Sequence, residues 1–367
     1  VISASAPPWL NTDYFWSLSW ILRAGAPDLL SGKNRKEELM KRLPIIFFGF
    51  ILMLTASVLL WSITQQPVRH IAREIKKENP KDRPYFFRPV ALLVDQNEIY
   101  ILEGGEERIQ VYSADGLLSR SLGQKGKGPA EFSMPAGMDI LSGEIYVADF
   151  GNKRIQILDK KGNYLGGFRV PFSPRNVVAL DRDRIAVSRM PMGIDGSEKM
   201  LCCYNSKGEL LWQALDSFFS NDRVYDALRN HIIFRKDDSG NLYVLWRWQN
   251  QNILKIDKNG QVVRKIPIRP GYPSKSITLP LKNKSKELQA VCWNGVWHNN
   301  RLYLITSEYT DDNDMGPGKE VYLIDESGEI SGIIEFPRNL KQLAVSGKFA
   351  CVLDTEDELY LYRVGPK

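Results

Sequence analysis

LGQKGKGPAEFSMPAGMDILSGEIYVADFGNKRIQILDKKGNYLGGF, residues Leu122–Phe168, is the stretch that decides the fold. Gly126-Lys127-Gly128-Pro129 is turn chemistry leading into Glu131-Phe132. Three short β-patterned runs follow, at Gly137–Leu141, Glu144–Ala148 and Arg154–Leu158. A fourth, Tyr164–Val170, comes after the turn Lys160-Lys161-Gly162. Four short strands separated by turn residues form one propeller blade.

Working outward, the glycine turn recurs. It stands at Asp115-Gly116, Lys161-Gly162, Lys207-Gly208, Asn259-Gly260 and Ser327-Gly328. The first two intervals are 46 residues each, and the later ones are longer, which reads as insertions into a repeat. The strand before it recurs six times, beginning at Glu98, Glu144, Arg184, Asn241, Arg301 and Lys348. β-Branched and aromatic residues dominate these runs, as strands covered on both faces require. The sixth unit has only three strands before the chain stops: Leu340–Val345, Lys348–Leu353 and Glu358–Val364. An open last blade leaves a bare sheet edge. The expectation is therefore that a strand within Arg69–Lys77 returns to close the ring.

Gly126-Lys127-Gly128-Pro129-Ala130-Glu131-Phe132, Pro135, and then Ile145-Tyr146-Val147-Ala148-Asp149-x-x-Asn152-x-Arg154-Ile155 resemble an NHL repeat. The preceding unit carries Glu103, Glu106 and Arg108 at the places of Asp149, Asn152 and Arg154, and the later units lack the pattern. The resemblance implies a six-bladed β-propeller of bacterial type with an amino-terminal signal or anchor segment. In physical terms Asp149 and Asn152 bond turn amides, and Arg154 pairs with Asp149 or Glu131.

The fold expected is all-β: a six-bladed β-propeller over residues 85–367, preceded by a transmembrane signal-anchor helix. Residues 65–84 are a Pro-containing, charged linker with the possible ring-closing strand. Leu43–Ile63 is an uncharged apolar run long enough to cross a bilayer, within an anchor segment spanning 40–64. Met40-Lys41-Arg42 opens it as an export signal opens, which places the propeller on the periplasmic or extracellular side. Residues 1–39 show no sustained period and read as a non-native extension ahead of a start at Met40. The competing reading is an interfacial or second membrane segment at Tyr14–Leu22.

Charge and cysteines narrow the function classes. The net charge is +6, but the basic residues are scattered, so no nucleic-acid partner is expected. Cys202, Cys203, Cys292 and Cys351 include no C-x-x-C, which excludes zinc-ribbon and thioredoxin readings. They are expected as buried free thiols, with a Cys292–Cys351 bridge as the alternative. The three histidines, His70, His231 and His298, have no metal-ligand spacing. No G-x-S-x-G or H-E-x-x-H is present.

The function expected is non-catalytic recognition or scaffolding of a protein, peptide or glycan, with membrane attachment through residues 43–63. The binding candidates are Trp246, Arg247 and Trp248 in the fourth unit, and Trp293, Asn294, Trp297 and His298 in the fifth. Tryptophan and arginine are typical anchors, and inter-blade packing is the competing role for the rings. No cofactor is expected. The alternative is a metal-dependent lactonase- or lyase-type hydrolase at the central channel. Resemblance to six-bladed lactonases implies a divalent cation such as calcium on Glu103, Asn176, Asn294 and Asp354. The acidic insertion Glu308–Gly318 lacks the distal Glu of a calcium loop and reads as a solvated loop.

Overall fold

The computed structural model describes residues 67–74, 86–189, 197–220, 222–248, 252–268, 271–281, 284–309, 315–347 and 349–364. The expected anchor segment and the extension before it lie outside them. Among the described residues no helix is long and apolar enough to cross a membrane.

Six antiparallel sheets make the six blades of a propeller. Blade 1 is Pro89–Asp95, Glu98–Glu103, Arg108–Ser113 and Leu118–Leu122. Blade 2 is Gly137–Leu141, Glu144–Asp149, Arg154–Asp159 and Tyr164–Arg169. Blade 3 is Pro174–Asp181, Arg184–Arg189, Lys199–Tyr204 and Leu210–Asp216. Blade 4 is Ile232–Lys236, Leu242–Trp246, Asn252–Ile256 and Val262–Pro267. Blade 5 is Asn294–His298, Arg301–Tyr309, Met315–Asp325 and Ile330–Glu335. Blade 6 supplies Leu340–Ser346, Phe349–Asp354 and Leu359–Arg363. The first strand of each blade lines the central channel. Two insertions explain the longer repeats: the short helix Arg223–Arg229 before blade 4, and the hairpin Lys275–Leu281/Lys284–Ala290 before blade 5.

The glycine turns have one geometry. Gly116, Gly162, Gly208, Gly260 and Gly328 all lie in the left-handed region, with φ between 75° and 91°, which glycine adopts without Cβ strain. In blades 2 to 5 the residue three places earlier, Asp159, Asn205, Asp257 or Asp325, accepts two turn amides through one side-chain oxygen. Each turn is accompanied by a register shift between the third and fourth strands. Such a bulge adds local twist, so the outer strand splays at the same place in successive blades.

The core is divided. Six apolar clusters fill the six inter-blade spaces, from Tyr100, Leu102 and Met138 between blades 1 and 2 to Phe86, Ile101 and Cys351 between blades 6 and 1. All four cysteines are free and buried. Burial pushes the Cys203, Cys292 and Cys351 thiols up to about 12.

The chain between blades 1 and 2 is clasped by polar side chains. Asp149 accepts from the Ser133 amide at 2.8 Å, Arg154 Nε at 2.7 Å, Asn152 Nδ2 at 2.9 Å and Gln156 Nε2 at 3.1 Å. Arg154 also donates to the carbonyls of Gly128 and Glu131. Its carboxylate partner is thus Asp149. The Glu131 carboxylate instead takes the Lys127 and Gly128 amides. Blade 1 repeats the clasp, with Glu103 accepting from Arg108 Nε, Gln110 Nε2 and the Phe87 amide.

The ring is closed by the segment before blade 1. Arg73–Glu74 pairs antiparallel with Leu359–Arg363 and gives blade 6 its fourth strand. Just before it, Val68–Ile71 pairs parallel with Ile330–Glu335 and adds a fifth strand to blade 5. Ala72, between the two pairings, is buried in the cluster of blades 5 and 6. Arg338 fastens the crossing: it pairs with Glu74 at 3.1 Å, donates to Tyr362 Oη at 2.7 Å and stacks on Tyr360. Deleting Val68–Glu74 is expected to lower the thermal midpoint by about 5 °C or more and to speed amide exchange in Leu359–Arg363. An unchanged midpoint and exchange pattern would show that the ring holds without the strap.

Candidate functional site

A first strand and its neighbour run in opposite directions, so the start of one and the end of the next meet at the same mouth of the channel. That geometry brings Trp246-Arg247-Trp248, at the end of the second strand of blade 4, beside Trp293-Asn294 at the start of blade 5. The Arg247 backbone ties them: its N–H donates to the His231 carbonyl at 2.9 Å and its carbonyl accepts from the Val291 amide at 2.9 Å.

The channel encloses a cavity of about 390 Å³, lined by the first strands of all six blades together with Arg247. Its charged lining is Asp139, Arg175, Arg235, Lys236, Arg247 and Lys341, with His231 and His298. Lys236 and Asp139 pair at 2.7 Å, and Lys341 pairs with Asp357. Among the described residues Arg175, Arg235 and Arg247 have no carboxylate in ion-pair range. Arg235 is held by the Phe234 carbonyl and by Asn294 Oδ1 at 3.0 Å. Asn294 in turn donates to Gln342 Oε1 at 2.7 Å, and Gln342 to the Val90 carbonyl. A hydrogen-bonded belt thus crosses blades 4, 5, 6 and 1 along the channel wall. The Arg247 guanidinium lies 3.5 Å from the Trp293 ring centroid, and its Nε is buried without an acceptor.

Burial sets the electrostatics. It lowers Arg247 to about 10, and the charge of Arg175 adds to the effect. It lowers Arg175, with Arg88 contributing, and also Arg235, which Asp139 partly offsets. His231 falls to about 3 through burial and then the charges of Arg247 and Arg175, so its imidazole is neutral at physiological pH. Burial also lowers His298, which Asp238 partly restores. The Cys292 thiol stays protonated although Arg247 and Arg235 pull it downward, which removes it as a nucleophile.

The seven residues singled out for binding do not form one patch. Arg247, Trp293 and Asn294 meet at one mouth of the channel. Trp297 and His298 end the same five-residue strand, roughly 13 Å away toward the other mouth. The four indoles enter four different apolar clusters. Trp246 packs between blades 3 and 4, Trp297 between 4 and 5, and Trp293 between 5 and 6. Trp248 joins Ala290 and Met315 beside the inserted hairpin. Trp297 stacks on Tyr243 at 4.1 Å, and its Nε1 is buried without an acceptor, as is His298 Nε2.

The four residues of the metal alternative are also separated. Asn176 and Asn294 line the channel. Glu103 is buried in the blade 1 clasp, and Asp354 takes the Glu356 and Glu358 amides in a turn of blade 6. Among the described residues no group of three or more His, Cys, Asp or Glu could hold a metal ion. Residues 310–314 of the acidic insertion lie outside the described ones, and Met315 packs on Trp248. The residues missed by sequence reasoning are Arg175, His231 and Arg235. One signal was present: in His231-Ile-Ile-Phe-Arg-Lys236 an arginine interrupts an apolar channel strand.

Six blades of four or five strands around a polar, cation-lined channel define a six-bladed β-propeller with an axial cavity. Residues 81–289, more than half of the chain, match the family model DUF5128, described as 6-bladed beta-propeller, and the chain belongs to that family. Two solved structures share the fold. A Bacteroides fragilis protein described as exported is 10% identical, covers 81% of this chain and 95% of its own, and has a TM-score of 0.51. A member of the DUF4221 family from Bacteroides vulgatus is 12% identical, with 82% and 96% covered and a TM-score of 0.50. No curated protein matches the chain in sequence.

The two kinds of tryptophan are expected to respond differently to removal. Trp248→Ala empties a buried site and should cost about 3–5 kcal/mol of stability, whereas Trp293→Ala, at the channel wall, should cost less than half as much in denaturant unfolding. Equal losses would make Trp293 a core residue. The His231 signal in NMR should stay flat from pH 7 to about 4, facing Arg247 and Arg175. Because its folded pKa lies below its unfolded value, the stability it contributes is complete above pH ~6.5 and is lost as the pH falls toward 3. A titration midpoint near 6.5 would show that His231 is open to water.

Proposed function

We propose that this chain is a non-catalytic, NHL-type recognition propeller of a bacterial cell, held on the extracytoplasmic side by the segment 43–63, and that it binds a protein, peptide or glycan at the channel mouth formed by blades 3, 4 and 5. The observation that carries the reading is the arrangement around Arg247. Backbone bonds to His231 and Val291 fix it, and Trp293 supports it from one side. Its guanidinium faces a cavity of about 390 Å³, the size of small-ligand sites. A side chain so positioned loses little entropy on binding. The first strands behind it are hydrogen-bonded into their blades, a scaffold that suits recognition by fixed geometry. The Met-Lys-Arg opening and the uncharged run that follows support the anchored, exported topology.

Two measurements test the two halves of this reading. A reporter fused after Lys367 should be active outside the cytoplasm and silent inside; the reverse pattern sinks the topology. Full-length protein in detergent, applied to glycan and peptide arrays, should retain a ligand that Trp293→Ala releases by about tenfold or more. Retention that is indifferent to Trp293 would place binding elsewhere.

A further inference from the structure

Three guanidiniums line the channel, and among the described residues none has a carboxylate in ion-pair range. Arg175 lies at the start of blade 3, Arg247 at the end of the second strand of blade 4, and Arg235 deeper in the channel on the first strand of blade 4. All three line the same cavity. Among the described residues Asp139 is the one carboxylate on the cavity wall, and it is engaged by Lys236 and by the Ala179 amide. Lys341 is likewise paired. The excess positive charge therefore belongs to the arginines.

Such an arrangement is unfavourable while empty. Like charges in a site of reduced dielectric repel more strongly than in water, and a buried charge without a partner carries its desolvation cost uncompensated. Arg247 shows this most clearly, with a buried Nε that has no acceptor. Its ring-stacked face is closed by Trp293, so its remaining donors lie in the guanidinium plane, in the fork that matches a planar oxyanion. Arg235 is fixed by Phe234 and Asn294. The neutral imidazole of His231 offers a further hydrogen bond without adding charge.

We propose that this end of the channel is an oxyanion-binding site, in which Arg175 and Arg247 hold a carboxylate or phosphate group carried by the ligand and Arg235 supplies charge from below. The inference rests on the recognition reading and names its ligand class: an acidic one, whose anionic group enters the channel while the remainder stays at the mouth. The cavity has room for the anion and the sugar or amino-acid unit bearing it.

The test uses full-length protein in detergent at constant ionic strength, with sodium phosphate, sodium glucuronate, glucose and sodium chloride as probes. Phosphate or glucuronate at ten times its dissociation constant or above should raise the thermal midpoint by about 3 °C or more, and glucose and chloride should not. Whichever oxyanion acts identifies the source of the charge. The variant carrying Arg175→Gln and Arg247→Gln should lose the rise, with calorimetric affinity weakened about tenfold or more. Without an anion this variant should melt at the same temperature as the native chain or higher, because a repulsion has been removed. Arg175→Gln alone, at the exposed edge of the site, serves if the double variant does not fold. No rise with either oxyanion, a rise retained in the variants, or an Arg175→Gln variant that melts lower in the absence of anion would overturn the proposal. A neutral array ligand that still binds the double variant overturns it while leaving recognition intact. Oxyanion binding with no array ligand supports it and counts against the broader reading.

Discussion

Ring closure is the constraint on which the molecule depends. Six twisted sheets stack around one axis, and each buries its faces only between two neighbours. The apolar clusters lie between blades, so a ring opened at one interface exposes both halves of one cluster, and a blade short of a strand exposes its edge. Val68–Ile71 and Arg73–Glu74 resolve this by crossing from blade 5 to blade 6 with Ala72 buried at the step. The belt from Arg235 through Asn294 and Gln342 to Val90 runs from blade 4 to blade 1, and it requires blades 6 and 1 to be adjacent.

Within that ring the blades divide their tasks unevenly. Blades 1 and 2 carry the carboxylate–arginine–glutamine clasps of Glu103 and Asp149, which spend their charge on fixing the connections between blades. Blades 3 to 5 lack that clasp among the described residues and place Arg175, Arg235 and Arg247 on the channel, with no described carboxylate in ion-pair range. The clasps and the candidate site thus fall on different copies of one repeat.

Much of the fold was legible because turn chemistry is local. A glycine at positive φ, three residues after an Asp or Asn that caps the turn in blades 2 to 5, marks where the outer strand departs, and the strand before that turn recurs once in each of the six blades. The pairing of Arg73–Glu74 was legible from the missing fourth strand. The second pairing, Val68–Ile71 onto blade 5, was not, because that blade already had four strands and nothing in its sequence demanded a fifth. The hairpin Lys275–Leu281/Lys284–Ala290 was visible only as excess length. The site was half legible. Arg247, Trp293 and Asn294 stood out by residue type, whereas Arg175 and His231 join them only through the geometry of the ring, Arg175 from another blade and more than fifty residues away in the chain. The four tryptophans misled as a group: three pack in different inter-blade spaces and Trp248 beside the inserted hairpin, and of the two that line the channel, Trp293 and Trp297, only Trp293 lies at the mouth of Arg247.

The buried thiols have a use in this light. Cys202 and Cys203 lie in blade 3, Cys292 just before blade 5 and Cys351 in blade 6, and all are shielded from solvent in the closed ring. A thiolate, the only form that alkylates readily, arises at these positions when the surrounding blade opens. Alkylation resolved by peptide mass is therefore a spatial record of breathing. It would distinguish a ring that opens first at the strap, where Cys351 reacts ahead of the others, from one that comes apart on all sides together.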